Sequence, residues 1–394
     1  MTATMEKLLA AAAERAGLDD FGDDWFLQPL AAWANDLDDG VLNDAGRSFF
    51  TALAVRDVER RLRVLDVLTR NPEIEDVVIP PIVYITGLAR SGTTLLHNLL
   101  AQHELARPLL RWELMEPVPP PETHSYRNDP RIARVQASVD KRRGTILERM
   151  HWVNADEPEE CHWAFIDFVS LLGGAAGPAM PRWGEFVASA DFSPVFRNYR
   201  RVLKLLLWKN PLPDNGFLVL KAPQLSVSIN ELASVFPEAQ FVIPDRDPYR
   251  VLQSLTAMVG GILEPLIHPD ARPTEDPALE HLRYVERALA AIARYETAAQ
   301  KSPVHVAYPT LVADPARVAS DVFAELGVTG DPTLPAKVHT FVEAQRSGAR
   351  LAPPSSLPEL GLARDTVIGN PTIAEYCRRH GIQPETNRLT GAHS

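Results

Sequence analysis

Cysteine is nearly missing: Cys161 and Cys377 are the only two in 394 residues. Two isolated thiols in so long a chain offer no disulfide framework, which fits a reducing cytosol. Long apolar runs are missing as well. The longest candidate, Phe168 to Pro181, is broken by Gly and Pro and falls short of the roughly 18 residues that a membrane span needs. The first twenty residues carry Glu6, Lys7, Glu14 and Arg15 through their apolar part, the pattern of an amphipathic helix and not of a signal peptide. A cytoplasmic protein without an integral membrane segment is expected. Positive charge is also in deficit, with 40 Lys and Arg against 51 Asp and Glu and a net charge of −11. That excludes a nucleic-acid binder whose affinity rests on overall positive charge. It does not exclude an anionic ligand, because the deficit is local: residues 1–45 hold ten acids and two bases, eight of the eleven excess negative charges.

Secondary-structure signals change along the chain. Residues 1–78 read as helices, the longest from Arg47 to Arg70 with Leu53, Val58, Leu62 and Leu65 on one stripe, stopped by Asn71-Pro72. Ile82 to Thr86 is then a short β-branched run followed by a Gly-bounded turn and an apolar helical segment, Thr94 to Ala101. Phe217 to Leu220, Gln240 to Ile243 and Val304 to Ala307 are further short apolar runs, and helices are expected at Ser226 to Phe236 and Pro248 to Val259. Alternating strands and helices predict an α/β fold with a central parallel sheet flanked by helices in three layers. Three segments are expected: an N-terminal helical segment (1–78), an α/β core (79–330) with a helical, aromatic-rich insertion at about 103–212, and a C-terminal helical and loop segment (331–394). Ten aromatics fall within residues 150–208 of that insertion, a density well above the 7% of the whole chain.

The segment YITGLARSGTTLLHNLL carries the chemistry. A strand, a turn from Gly87 to Gly92 and a helix opening at Thr93 and Thr94 form an anion site, because backbone N–H groups converge there and the helix dipole adds positive potential. The glycine spacing is that of a P-loop, G-x-x-x-x-G, but Thr93 stands where a Walker loop has its Lys, and the cation of the loop is Arg90. A phosphate-bearing ligand held without a Mg²⁺-bound triphosphate suits this arrangement. A second element, FVIPDRDPYRVLQSL, puts Arg246 at a strand's carboxyl end and Ser254 on the next helix, where ligands of open α/β sheets bind.

With both elements present, the sequence resembles the sulfotransferases that use 3′-phosphoadenosine-5′-phosphosulfate (PAPS), and is most similar to bacterial members whose loop reads G-x-x-R-[ST]-G-T-T. The resemblance implies that Arg90, Ser91, Gly92, Thr93 and Thr94 grip the 5′-phosphosulfate and that Arg246 and Ser254 hold the 3′-phosphate. It adds Tyr308 of a Y-x-x-L-x-x-D-P match (Tyr308, Leu311, Asp314, Pro315). It also adds Arg346, Ser347, Gly348 and Arg350 of EAQRSGAR, near a mobile loop closing over the nucleotide. GLDDFG (Gly17 to Gly22) and ADEPEEC (Ala155 to Cys161) are weaker likenesses. The family's K-x-P-x-H reads here Lys221-Ala222-Pro223-Gln224-Leu225, without the His, and Asp245 stands where a His often precedes the R-D-P element. The expected product of the co-substrate is 3′-phosphoadenosine-5′-phosphate (PAP).

Sulfuryl transfer needs fixed donors for the charge that builds on the sulfuryl oxygens and the leaving phosphate, and a base for the acceptor proton. Arg90 and Lys221 are the candidates for the first task. For the second they are Glu160 and His162 of PEECHWAF, with Glu159 as the fallback. The acceptor is expected to be a small, largely apolar or aromatic molecule offering a hydroxyl or amine. Cys161 reads as an inert buried thiol and His97 as structural. No His/Cys/Asp spacing matches a metal site, so no metal is expected. A non-catalytic nucleotide-binding relative and a P-loop kinase or NTPase are the alternatives, and the oligomeric state stays open, a homodimer included.

Overall fold

The computed structural model describes residues 2–39, 41–141, 143–144, 153–167, 177, 179–271, 276–347 and 360–385. Its center is a five-stranded parallel sheet of β1 (Ile82–Ile85), β2 (Ala106–Pro108), β3 (Phe217–Lys221), β4 (Ala239–Asp245) and β5 (Val304–Ala307), in the order β2-β3-β1-β4-β5. Every residue of β1 and β3 is buried, the condition under which a parallel strand reads as a continuous apolar run and not as an alternation. One face of the sheet packs Tyr84, Leu218, Leu220 and Phe241 against Tyr199 and Leu203. The other packs Val83, Ile85, Val219 and Val242 against Leu96, Leu99 and Leu100. The helices that matter for the site are α1 (Ala3–Ala16), α2 (Leu27–Asp38), α3 (Asp44–Arg70), α4 (Thr93–Leu100), α5 (Ser193–Trp208), α6 (Pro248–Leu263), α7 (Pro277–Ala298) and α8 (Pro371–His380).

The three-layer α/β expectation holds, with one strand more than the four expected. The stretch expected as a helical insertion from about residue 103 opens with β2, which adds to the sheet edge beside β3. Three residues ending in Pro108 give no periodicity to read, and an edge is where a strand tolerates proline. The helix expected from Ser226 begins instead as a 3₁₀ turn, Pro223–Ser228, and turns α-helical at Ile229.

The acidic N-terminal helices pack with Trp183 and with Leu255 and Val259 of α6 around a second core, in which the Trp33 ring meets Phe50 and Trp183 edge-on. Arg61 on α3, fully buried, ties the N-terminal loop to the insertion. It pairs with Asp167 at 2.7 Å and Asp23 at 3.0 Å and donates to the Phe21 carbonyl at 2.8 Å. Burial raises the Asp167 carboxyl to about 6 even with Arg61 beside it. The GLDDFG likeness thus coincides with a loop docked on Arg61, and Gly22 (φ +70°) lies where a Cβ would strike Leu65. Among the described residues no helix is long and apolar enough to cross a membrane.

Candidate active site

β1 lies between β3 and β4, so the chain runs to one side of β1 and then to the other, and a crevice opens at the strand ends there. The loop after β1 fills that crevice. Gly87 (φ +119°) and Gly92 (φ +103°) bound it, and a Cβ on Gly92 would come within 2.9 Å of the Tyr308 ring. Arg90 between them is also left-handed, at φ 73°, a conformation that costs a non-glycine residue energy and needs holding by its surroundings.

Two contacts supply that hold. The Arg246 Nη1 donates to the Arg90 carbonyl at 3.0 Å, and the Arg90 Nε donates to the Ser254 hydroxyl at 3.1 Å. The Arg246 guanidinium lies 4.0 Å over the Tyr308 ring, a cation–π contact. Burial, and then the neighboring Arg246, bring the Arg90 guanidinium below its usual range. Two guanidiniums held this close favor an anion between or beside them. One carboxylate already answers: Glu385 takes a two-pronged contact from Arg246, at 2.8 Å from Nε and 3.1 Å from Nη2. Among the described residues the ion pair of Arg246 is with Glu385. Ser91 is buried and donates to the Leu88 carbonyl at 2.7 Å, Thr93 is buried at the first turn of α4, and Thr94 is exposed.

A second cluster faces the loop from β3. Lys221, 1% exposed, donates to Glu160 at 2.8 Å and to the Thr94 hydroxyl at 3.3 Å. The Thr86 hydroxyl donates to the Ala222 carbonyl at 3.1 Å and pins the two strand ends together. The other Glu160 oxygen takes Gln224 at 3.3 Å and lies 3.2 Å from the His162 Nδ1, which also contacts the Gln224 amide. Glu159 points elsewhere, into a buried ion pair with Arg111. Leu225, where the family's His would stand, is buried in the core. Gln224, one residue earlier, fills the polar position, and together with Glu385 it is what reading the sequence missed.

The remaining expected residues are placed as follows. Of the Y-x-x-L-x-x-D-P match, Tyr308 and the buried Leu311 both lie against Gly92 of the loop, while Asp314 caps the next helix through the Arg317 N–H. Arg346 and Ser347 end the helix Leu334–Ser347, and Gly348 and Arg350 lie outside the described residues. His97 is buried with Nε2 3.1 Å from the Val219 carbonyl, and burial lowers it to about 3. Burial lifts the Cys161 thiol to about 11, an inert state.

A model of the sulfotransferase family matches residues 81–332. The omega-hydroxy-beta-dihydromenaquinone-9 sulfotransferases of Mycobacterium bovis and Mycobacterium tuberculosis are each 26% identical over 211 residues, 51% of this chain, and the match spans about half the length of these relatives. A crystal structure of a sulfotransferase from Mycobacterium avium superposes with a TM-score of 0.86 at 25% identity over 98% of both chains. One from Mycobacterium tuberculosis superposes at 0.76 and 23% identity, over 95% of this chain and 99% of that one, and shares the fold.

Proposed function

The chain belongs to the sulfotransferase family, and from that premise we propose that it moves the sulfuryl group of PAPS onto a hydroxyl or amine of a small, largely apolar acceptor. The observation that carries the reading is the meeting of two cationic side chains, Arg90 and Arg246, with Ser254 and Tyr308 around the Gly87–Gly92 loop. On this reading the loop N–H groups, Arg90 and the hydroxyls of Thr93 and Thr94 hold the 5′-phosphosulfate, and Arg246 and Ser254 the 3′-phosphate. Glu385 presents a carboxylate to the same guanidinium fork, so the 3′-phosphate displaces it, and segment 331–394 closes over the nucleotide. Arg346, Ser347 and Gly348 belong to that closure.

Sulfur is attacked in line. The bond from sulfur to the 5′-phosphate oxygen breaks as the bond to the acceptor atom forms, and the acceptor proton goes to a base. Glu160 suits that role, since its carboxylate faces Lys221 beside the loop and Gln224 and Lys221 fix its orientation. His162 is 2% exposed and its Nδ1 is already contacted by Gln224, which favors a positioning part. Lys221, between Glu160 and Thr94, neutralizes charge on the leaving phosphate. The mycobacterial relatives are named for an omega-hydroxy group on a dihydromenaquinone, which supports a hydroxyl on an apolar acceptor here.

The test is transfer from PAPS, with no divalent ion added, to a panel of hydroxylated quinones, phenols and amines, read as a mass gain of one sulfuryl group. Sulfated product with PAPS and no turnover of ATP supports the proposal. Tight binding of PAP with no product across the panel favors the non-catalytic reading, and no binding of PAP removes the donor assignment.

A further inference from the structure

Tyr284, within α7, carries a hydroxyl that the mechanism above leaves unused. Its ring packs against both of the larger cores, a place that a phenylalanine would fill as well. A phenol oxygen in an apolar seam costs free energy unless polar groups meet it, so its partners show what it is for. The hydroxyl donates to the Pro223 carbonyl at 3.5 Å and accepts from the Ala89 N–H of the Gly87–Gly92 loop. The Ser226 hydroxyl, fully buried and without a completed hydrogen bond, faces the same oxygen. A phenol offers one donor and two acceptor positions, and this one has a group at each.

The positions of those partners give the contact its meaning. Ala89 immediately precedes Arg90, the cation of the loop. Pro223 stands between Lys221 and Gln224, and both of these donate to Glu160. One oxygen therefore meets the donor-side loop beside its cation and the acceptor-side turn between the two groups that orient the carboxylate. Burial pushes the phenol up to about 12, and the nearby Glu160 charge adds to the rise, so the proton directed at Pro223 is in place at neutral pH. α7 is itself anchored at this height. One turn before Tyr284, the His281 Nδ1 lies 2.9 Å from the Thr256 hydroxyl of α6, the helix that carries Ser254. Burial lowers that imidazole to about 4, so it serves as a neutral hydrogen-bonding group.

We propose that Tyr284 is a positioning residue for sulfuryl transfer, whose hydroxyl sets the loop carrying Arg90 against the turn that orients Glu160. The inference rests on the reading of the site given above. The Thr86 hydroxyl ties the same two halves at the strand ends, and Tyr284 ties them from a third element. The long contact to Pro223 and the open Ser226 hydroxyl leave slack that tightens when the site is filled, as contacts that matter in the reacting complex do. Tyr284 acts through Arg90 and Glu160, without taking the acceptor proton itself.

The experiment compares the full-length wild type with Tyr284→Phe, which keeps the ring and removes the oxygen. Hydrogen exchange is expected to run at least about threefold faster in both segments 86–92 and 223–228 of the variant, because each loses the same partner. With PAPS and an acceptor, kcat is expected to fall about 10–10²-fold, the scale of a small misplacement of reacting groups, with PAP affinity within about threefold of wild type. In a Glu160→Gln background the same change is expected to cost less than about threefold more, since the group being positioned is already gone. Exchange that rises in neither segment, or in one alone, overturns the proposal. So does a fall in kcat of equal size in both backgrounds, which marks a structural role independent of Glu160. A wild type that yields no sulfated product, with exchange raised in both segments, removes the transfer reading and leaves the link between the two segments standing.

Discussion

The two sides of Arg90 are built by different means. On the β4 side, the proposed donor half is local and largely backbone: a six-residue turn with two left-handed glycines and a left-handed Arg90, and an Arg and Ser eight residues apart where a strand passes into a helix. On the β3 side, the proposed acceptor half is assembled over long range. Glu160 sits before a 3₁₀ turn, Lys221 ends a strand and Gln224 lies in the following turn, and side-chain hydrogen bonds join them. A phosphate is the same ligand in every member of a family, so its site can be carried by a short motif. An acceptor pocket is set by which distant segments meet, and can change without altering any motif.

That difference gives crossed predictions. Glu160→Gln is expected to lower turnover by about 10²–10⁴, the usual worth of a general base, with PAP affinity within twofold of wild type. Steady-state rates and a PAP titration on one preparation check both halves, and lost nucleotide affinity would merge the two sides. Arg246→Ala is expected to weaken PAP binding by about 2–5 kcal/mol, the cost of stripping one partner from a desolvated charge pair, and also frees the Arg90 carbonyl. Unchanged affinity would place the 3′-phosphate elsewhere. Gly92→Ala is expected to cost binding with Arg246 intact, because the new methyl meets the Tyr308 ring in a left-handed residue. Smaller and opposite in sign, Glu385→Gln is expected to tighten PAP binding several-fold by removing a competing carboxylate. The smallest effect concerns Cys161: intact-mass analysis after alkylation at neutral pH is expected to find that thiol unmodified, since burial keeps it protonated up to about 11.

How much was legible in the chain follows the same division. β1 and β3 announce themselves as short apolar runs because strands buried on both sides have no polar face, β4 is buried from Phe241 onward, and β5 shows itself through the two buried valines Val304 and Val306. β2 does not, being three residues at an edge with a proline. The Gly87–Gly92 turn between β1 and α4 was legible as a spacing. The absence of a histidine at Leu225 was legible as a gap, but its replacement was not, since Gln224 acquires meaning from Glu160 and His162, which fold brings to it. Asp245 looked like a departure from the family pattern, and in three dimensions its carboxylate meets Tyr376 and His305. Glu385 lies 139 positions from Arg246, a pairing that no local pattern records.

The central claim is that the Gly87–Gly92 loop with Arg246 makes a site for a 3′-phosphorylated nucleotide that needs no magnesium. Calorimetric titration of PAP into the wild-type chain without added divalent ions tests it most directly, with ATP plus magnesium as the comparison. The account predicts one tight site for PAP and none of similar strength for ATP. A preference for ATP with magnesium, or no binding of PAP, would contradict it.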